Sequence, residues 1–253
     1  MKKQFLFFLS IAAATVFYSC NKAENLTSNG TDGPKNDFSD DLSGQFLSRY
    51  YFFDSTYPSN PGFSEAQDAE VRFVKSRQQN ALVLADKVFV NSLEMQKDPG
   101  NFHTLNSGST LDMKDSCLWR VESTSVPEIP SFSYNFRMPF PSIKANVPDT
   151  IVKKDGITLQ IQVAGADSLV IGISGDSTNF EGYIYKSFLP QQGSFNCTFT
   201  AKEIGKIRRS EYVGASQAVA IIAYKRAITT VQNKHMSFTK ISSYLAGVWV
   251  KQK

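Results

Sequence analysis

The sequence predicts an all-β protein, and three observations lead to that prediction. Of its 253 residues, 42% are hydrophobic and 20% are charged, which is enough apolar material for a buried core. Apolar and polar residues alternate along many short segments, as in strands with one buried face. Gly, Pro, Asn and Asp separate these segments, and they favour turns. This pattern is typical of β-sandwiches, whereas the composition excludes collagen-like, disulfide-dense and multi-span membrane classes.

Residues 1–19 have the features of an export signal. Lys2 and Lys3 precede an apolar run from Phe5 to Tyr18, and polar residues follow from Asn21 onward. The run is shorter than the ~20 apolar residues that cross a bilayer. We therefore expect the segment to direct export and then to be removed.

The cysteine at the end of this signal resembles the acylated cysteine of bacterial lipoproteins. The resemblance is carried by Phe17-Tyr18-Ser19-Cys20, although the commonest pattern has Leu in place of Phe17 and a small residue in place of Tyr18. It implies that Cys20 receives a diacylglycerol and further acyl chains such as palmitate. Two or three chains hold a protein on a membrane, since each buried CH₂ contributes ~0.8 kcal/mol. The alternative is a conventionally cleaved signal with an incidental cysteine.

Residues 20–45 are predicted to be a flexible tether. They consist mainly of Asn, Ser, Thr, Gly and Asp with scattered apolar residues, and such a segment cannot offset the entropy lost on ordering. About 25 residues of this kind span roughly 25–30 Å. The tether would therefore keep the folded part clear of the lipid headgroups.

Period-two alternation predicts the strands that follow. It is clearest at Ile157 to Val163, where every second side chain is apolar. Residues 218–224 are apolar on both faces, as in a strand covered on both sides. The remaining predicted strands are Val71 to Val74, Val83 to Val90, Cys117 to Val121, Phe132 to Phe136, Leu169 to Ile173, Phe180 to Phe188, Phe195 to Phe199 and Tyr244 to Val250.

One short helix is predicted to begin after Thr200. Thr200 and Glu203 have the spacing of a capping box, and Phe199 and Ile204 are placed as its hydrophobic staple. The helix would decorate a sheet without contributing chemistry.

A proline-rich stretch suggests where one β-rich body ends and the next begins. Proline cannot donate to a central ladder, so we place the boundary near Ser142. Residues 46–142 would form an N-terminal β-rich domain and residues 143–253 a C-terminal one, each an immunoglobulin-like β-sandwich, with the helix in the second. The prolines concerned are Pro127, Pro130, Pro139, Pro141 and Pro148.

No motif identifies a catalytic, metal or cofactor site. His103 and His235 lie in polar, loop-like contexts without a ligand at a suitable spacing, and nucleophile elbows, phosphate loops and dinucleotide fingerprints are absent. Cys117 and Cys197 share strand faces with large apolar residues, so we favour two buried thiols over a disulfide. Asp40 and Asp41 lie beside the tether, where rigid catalytic geometry is not expected.

Charge is unevenly distributed along the chain. Residues 201–253 hold ten Lys and Arg against two Glu, a net charge of +8, whereas residues 20–200 carry −6. We interpret the excess as solvated strand faces. If it binds a ligand, lipopolysaccharide or an acidic polysaccharide fits an exported protein better than nucleic acid.

Aromatic side chains are the candidates for ligand contact. Tyr50, Tyr51 and Tyr57 belong to the densest aromatic group and could stack on sugar rings, although sandwich cores use such residues as well. Alternation would place Tyr51 and Phe53 on one face, with Tyr50 and Phe52 on the other.

The layout of the chain resembles that of uncharacterised cell-envelope lipoproteins of the Bacteroidetes. The resemblance rests on the lipobox-like start, the polar tether, Leu118-Trp119-Arg120-Val121 and the proline-rich join. It implies an outer-membrane location without implying an activity. Asp149-Thr150-Ile151 and Asp167-Ser168-Leu169 resemble O-glycosylation acceptors of that group, which makes Thr150 and Ser168 candidate glycosylation sites.

These observations predict a lipid-anchored binding or assembly module of the cell envelope, without catalytic residues or cofactors. Its partners would be the bilayer, through Cys20, and a polysaccharide or envelope protein, not nucleic acid. Two alternatives remain open. One is an envelope glycoside hydrolase whose carboxylate pair leaves no sequence trace, and the other is a purely structural envelope protein.

Overall fold

The computed structural model describes residues 43–53, 65–75, 82–105, 112–174, 184–189, 193–207 and 217–251. Within these ranges almost all regular structure is strand, with one short helix. The predicted all-β class is therefore confirmed. The described residues belong to one compact unit.

Most strands lie close to where alternation predicts them. The strands are β1 (Ser43–Phe53), β2 (Glu65–Val74), β3 (Leu82–Val83), β4 (Lys87–Val90), β5 (Leu93–Glu94), β6 (Gln96–Asp98), β7 (Phe102–Leu105), β8 (Cys117–Glu122), β9 (Phe132–Phe136), β10 (Ser142–Asn146), β11 (Thr150–Val152), β12 (Ile157–Ala164), β13 (Ser168–Ser174), β14 (Ile184–Phe188), β15 (Gly193–Phe199), β16 (Gln217–Val231) and β17 (Lys234–Lys251). The helix, α1, spans Ala201–Ile204 and follows β15.

These strands form one large sheet and two small ones. The ten-stranded sheet has the order β14-β13-β16-β17-β1-β2-β7-β6, with β11 paired to β17 and β3 paired to β2. The small sheets have the orders β5-β4-β8-β9 and β10-β12-β15. Strand β1 runs parallel to β17, so the first and last described strands are neighbours at the centre of the large sheet.

Both small sheets pack against the same face of the large sheet. Met236 and Phe238 of β17 belong to one buried cluster, and Tyr244, Ala246 and Val248 of β17 belong to a second. All five are even-numbered residues of one strand, and alternate residues of a strand point to the same side. We call this side the core face of the large sheet and the other side the opposite face.

The N-terminal core lies between the large sheet and the four-stranded sheet. Its centre is aromatic: the Phe46 ring stacks on Phe238 at 4.6 Å and meets Phe73 and Trp119 edge-on at 5.7 and 5.4 Å. Tyr134 of β9 stacks on Phe238 from the small sheet, with centroids 4.1 Å apart. These offset and edge-on geometries suit the ring quadrupole.

The C-terminal core lies between the large sheet and the three-stranded sheet, and it is mainly aliphatic. Leu159, Ile161 and Val163 of β12 point inward, as the alternation predicts. They meet aliphatic side chains of β13, β16 and β17 on the core face, namely Leu169, Ile171, Ile173, Val219, Ile221, Ala223, Ala246, Val248 and Val250.

The two cores share the large sheet. Strands β16 and β17 run through both, and β10 begins at Ser142, the predicted boundary. The predicted prolines all lie between strands. Two independent immunoglobulin-like sandwiches remain a prediction, and the structure shows two apolar cores on one continuous sheet.

The predicted capping box of α1 is present. Thr200 accepts a hydrogen bond from the backbone N–H of Glu203, and the Glu203 carboxylate accepts one from the N–H of Thr200. Gly156, which precedes β12, has a φ of +69°, and a Cβ there would lie 2.6 Å from the Phe199 carbonyl oxygen. Glycine is therefore required where the chain turns beside α1.

Some expected boundaries differ from the structure. Strand β1 already begins at Ser43, so residues 43–45 are ladder residues and not part of a tether, because Ser43 and Gly44 pair with both β2 and β17. The single strand expected from Val83 to Val90 is two strands, β3 and β4, in different sheets. The first part of the strand expected at 180–188 lies outside the described residues.

Candidate functional site

The described residues hold two buried polar clusters, one on each side of β1. The first cluster lies on the opposite face and joins β1 to β2. The Arg49 guanidinium donates to the Asp68 carboxylate at 3.1 Å and to the Glu70 carboxylate at 2.6 Å. The Tyr51 hydroxyl donates to Asp68 at 3.2 Å, and the Arg72 guanidinium pairs with Glu70. We call these five residues the ionic cluster.

Strand alternation assembles the ionic cluster. Arg49 and Tyr51 are two residues apart on β1, Asp68 and Glu70 are two apart on β2, and Arg49 lies directly opposite Asp68. All four side chains therefore point to the same face. Burial by itself would lower the pKa of Arg49, but the negative charges of Asp68 and Glu70 and the nearby Tyr51 raise it above its ordinary value.

Burial is the largest influence on the pKa of two acidic groups in this cluster. Burial raises the pKa of the Asp68 carboxyl, and Arg49 opposes that rise. Burial also raises the pKa of the Tyr51 hydroxyl, with the Asp68 charge adding to the effect. Charged pairs of this kind tie strands together, because removing one partner leaves the other charge buried and uncompensated.

The second cluster lies on the core face, in the strip between the two apolar cores. Lys240 of β17 is completely buried, and its ammonium donates to the carbonyls of Met113 and Lys114 at 2.7 and 3.2 Å. The Phe140 ring lies 4.6 Å from its nitrogen, as in a cation–π contact. We call Lys240 together with Ser48, Cys117 and Ser242 the polar seam.

The other members of the polar seam hold neighbouring segments to the sheet. The Ser48 hydroxyl lies 3.2 Å from the Cys117 sulfur, and the Ser242 hydroxyl donates to the Pro141 carbonyl at 2.6 Å. Burial lowers the pKa of Lys240 and raises that of Cys117. A thiol with a raised pKa is a poor nucleophile, so this arrangement serves to fasten residues 112–117 and 141 across the sheet.

The predicted aromatic residues occupy different environments. Tyr51 is only 5% exposed, and its ring stacks on Phe53 with centroids 6.2 Å apart, so it offers no open ring face to a sugar. Tyr50 is half-buried, 5.7 Å from the Phe140 ring and beneath the Lys114 ammonium. The predicted alternation of the tetrad is confirmed, since Phe52 is exposed while Phe53 is buried. Tyr57 lies outside the described residues.

The predicted modification sites are placed only in part. Cys20 lies outside the described residues. Thr150 is half-buried at the start of β11, beside Trp249 in the register of β17. Ser168 is half-buried at the start of β13. Whether either carries a glycan stays a prediction.

The histidines lie on strands, which corrects the loop-like contexts expected from the sequence. His103 belongs to β7 and is buried, with its Nε2 atom 3.2 Å from the Ala85 carbonyl oxygen. Burial lowers its pKa. His235 belongs to β17 and is half-buried. The prediction was wrong because polar residues flank histidines in strands as well as in loops.

The two cysteines of the folded part are free and buried, as predicted. Cys117 contributes to the N-terminal core and Cys197 to the C-terminal core. Burial raises the pKa of Cys197 to about 11. Both thiols are therefore protonated at neutral pH.

Four described lysines of the last quarter of the chain lie in different environments. Lys240 is buried, and Lys225 forms an ion pair of 2.6 Å with Asp167. Lys202 and Lys251 are exposed on different elements, α1 and the end of β17. Whether the excess positive charge binds a polyanion stays a prediction.

No metal-binding group of three His, Cys, Asp or Glu residues occurs among the residues that the structure describes. A small cavity of about 160 Å³ lies between the ends of β14 and β15, and its described lining residues, Phe188, Leu189, Phe195 and Asn196, are not ionisable. The carboxylates of Asp68 and Glu70 do lie side by side, but Arg49 binds both. A glycosidase pair needs carboxyls that face a substrate.

Sequence reasoning missed both polar clusters. The ionic cluster has a local signal, because Asp68, Glu70 and Arg72 alternate with apolar residues in β2, but its partner Arg49 is distant in sequence. Lys240 has no local signal, because nothing in residues 234–251 indicates that the carbonyls of Met113 and Lys114 lie next to its ammonium group.

The residues that the structure describes contain no candidate membrane-spanning helix. Comparison with known proteins gives no further constraint, because no family model, curated protein or solved structure matches the chain.

Proposed function

We propose that this protein is a cell-envelope lipoprotein, held at the outer membrane through Cys20, that acts as a non-enzymatic binding or assembly module for a glycan or an envelope protein. The observation that carries the proposal is the position of Cys20 directly after an apolar run and before a polar segment. That segment occupies residues 21–42 and ends where β1 begins at Ser43.

The position of β1 supports a presenting role. Ser43 lies opposite His235, next to the first residue of β17. The residues of β17 in the C-terminal core, Tyr244 to Val250, lie about 30–50 Å further along the strand at 3.3 Å per residue. A tether attached at Ser43 would thus join the folded part at the end that is distant from the C-terminal core.

Four described carboxylates are bonded in ways that suit a structural role. The carboxylates of Asp68 and Glu70 are bound by Arg49, and that of Glu203 closes the capping box of α1. The Asp86 carboxylate accepts hydrogen bonds from the side chain and backbone of Ser125 and from Thr124, which hold its pKa below the ordinary value. Each of these groups therefore stabilises the fold through a described partner.

Metabolic labelling with an alkyne analogue of palmitate tests the anchor. The natural chain is expected to incorporate label and to fractionate with outer membranes, whereas Cys20→Ala is expected to do neither. Cys197→Ala is the matched control, because that cysteine is buried in the C-terminal core and should not affect labelling. Label that persists in Cys20→Ala, or a mature mass without acyl chains, would contradict the proposal.

Affinity capture from detergent-solubilised envelopes tests the binding role. A glycan-binding module is expected to be released by the cognate sugar, and a protein-binding module to retain its partner in the presence of sugar. Capture of neither would favour the purely structural alternative. Turnover of envelope polysaccharides by the purified protein would favour the hydrolase.

A further inference from the structure

Among the described strands, β16 has a neighbour on only one side over part of its length. Strand β13 pairs with β16 only as far as Tyr224, which lies opposite Ser168. From Lys225 to Val231, β16 pairs with β17 on one side, and no strand of the described ranges pairs with its other side. An unpaired sheet edge presents N–H and C=O groups that can accept another strand.

The turn between β16 and β17 determines which backbone groups point outward. Gln232 and Asn233 both have positive φ values, 47° and 62°, so Val231 and Lys234 flank a two-residue type I′ turn and form a hydrogen-bonded pair. Because hydrogen-bonded and non-hydrogen-bonded pairs alternate, Thr229 also bonds to β17. The N–H and C=O groups of Ile228 and Thr230 therefore point away from β17.

The hydrogen bonds of Tyr224 and Arg226, next to this part of the edge, agree with this assignment. The Tyr224 carbonyl and the Arg226 N–H both point outward, where they bond to the backbone and the carboxylate of Asp167 at 2.7 and 2.8 Å. Asp167 thereby closes the edge at Arg226. The free part begins at Ile228, whose side chain is 52% exposed.

The four-stranded sheet, which packs on the core face of the large sheet, ends on the same side of the N-terminal core as β16. In the four-stranded sheet, Trp119 of β8 packs on Phe46 of β1, and Tyr134 of β9 packs on Phe238 of β17. The order from β8 to β9 thus follows the order from β1 to β17, which leads toward β16. Since β9 is the last strand of its sheet, the edges of both layers lie on one side of the N-terminal core.

We propose that this edge pairs with the same edge of a second copy of the chain, antiparallel about a two-fold axis that places Thr229 opposite its counterpart. In this register Ile228 of each copy faces Thr230 of the other, and each such pair exchanges both N–H···O bonds. A self-complementary patch of this kind is what a two-fold interface requires.

The charges of the edge are compatible with a second copy. The register places Arg226 opposite the uncharged Gln232 of the other chain, and Lys225 opposite Asn233, so no like charges face each other. Lys225 is in addition neutralised by Asp167. The centre of the edge, from Ala227 to Val231, contains only Ala, Ile, Thr and Val, without the lysine or proline that protects many natural edges. The edge belongs to the folded body, so this proposal does not depend on acylation at Cys20.

Disulfide trapping of the purified full chain under mild oxidation tests the pairing. Thr229→Cys in the full chain would place two thiols in a non-hydrogen-bonded pair across the axis, where side chains are closest. We expect a disulfide-linked dimer on non-reducing gels. Lys202→Cys is the control, since Lys202 is exposed on α1 and should not be trapped. Cys117 and Cys197 are buried and should not contribute.

Adding Ile228→Pro to the Thr229→Cys chain is expected to abolish the trapped dimer. Its N–H points outward, so proline removes the donor without removing a bond to β17, as edge strands tolerate. If this variant fails to fold, Thr229→Lys, which would bring two ammonium groups together, is expected to convert the purified dimer to a monomer in sedimentation equilibrium. A natural chain that sediments as a monomer throughout, or trapping that survives Ile228→Pro, would overturn the proposal.

Discussion

The two cores of the molecule are built on one sheet from different side chains. The N-terminal core centres on stacked and edge-on rings around Phe46 and Phe238, whereas the C-terminal core is mainly Ile, Leu and Val from alternating strands. Aromatic packing depends on ring orientation, while aliphatic packing depends mainly on buried area. The comparison teaches that one continuous sheet can support two kinds of core, with the polar seam between them.

The largest expected effect comes from the centre of the aromatic core. Phe46→Ala should reduce the free energy of unfolding by about 3–5 kcal/mol, because it removes a buried ring and leaves a cavity. Denaturant unfolding would be followed in two variants that each keep one tryptophan. Trp119 would report on the N-terminal core, and Trp249 would report on the end of β17 that belongs to the C-terminal core. Because β16 and β17 run through both cores, both signals should shift together.

Ile161→Val provides the aliphatic comparison, with an expected loss of about 0.5–1.5 kcal/mol. If Phe46→Ala lowers the unfolding midpoint reported by Trp119 but not the midpoint reported by Trp249, the two cores are not coupled through the shared sheet. That result would favour two independent domains.

The second prediction concerns the turn before β12. Gly156→Ala should destabilise the protein by about 1–3 kcal/mol, the cost of a strained backbone, because its φ is positive and a Cβ would approach the Phe199 carbonyl. Thermal unfolding would measure the change. Gly165→Ala is the matched control: its φ is also positive, +76°, but its Cβ would meet nothing closer than 4.0 Å. Equal losses in both variants would show that the close approach has no effect.

The third prediction concerns the cap of α1, which covers the end of the aliphatic core through Ile204. Thr200→Ala should cost about 1 kcal/mol, since it leaves the N–H of Glu203 without its acceptor. Thr200→Ser should restore most of the stability in the same denaturant titration. A serine variant as unstable as the alanine variant would indicate that packing, not capping, matters at this position.

The smallest effect is a pH dependence arising from the N-terminal core. Burial lowers the pKa of His103 below its ordinary 6.5, so the unfolded chain binds a proton more readily than the folded one. Stability should therefore fall as the pH decreases from about 6.5 toward the lowered folded-state pKa. His103→Gln, which can still donate to Ala85, should flatten this slope in unfolding titrations. An unchanged slope would show that other groups control the acid dependence.

Local patterns predicted much of the fold. The alternation at Ile157 to Val163 identified β12 and its inward residues, and the spacing of Thr200 and Glu203 identified the capping box. These features depend on neighbours within a few residues, which is the range that a sequence window covers. The parallel pairing of β1 with β17 joins residues at opposite ends of the described chain, and alternation carries no information about such pairing.

The candidate site was less predictable for the same reason. Tyr51 was singled out as an aromatic, but only the register of β1 and β2 reveals that its hydroxyl reaches Asp68. Lys240 looked like one of ten positive charges at the end of the chain, yet it is buried beneath the Met113 carbonyl. In the sequence, a lysine exposed to solvent cannot be distinguished from a lysine that is buried and bonded inside the fold.

The all-β class, the alternating strand faces and the short capped helix could be predicted from residue order, because they follow from side-chain periodicity and local hydrogen bonds. Three features became visible only in the folded chain: both cores share one sheet, Arg49 binds two carboxylates, and Lys240 lies between the cores. Those outcomes depend on which distant strands become neighbours. The choice among neighbours is made by the burial of whole faces, a property that no short segment of the chain possesses.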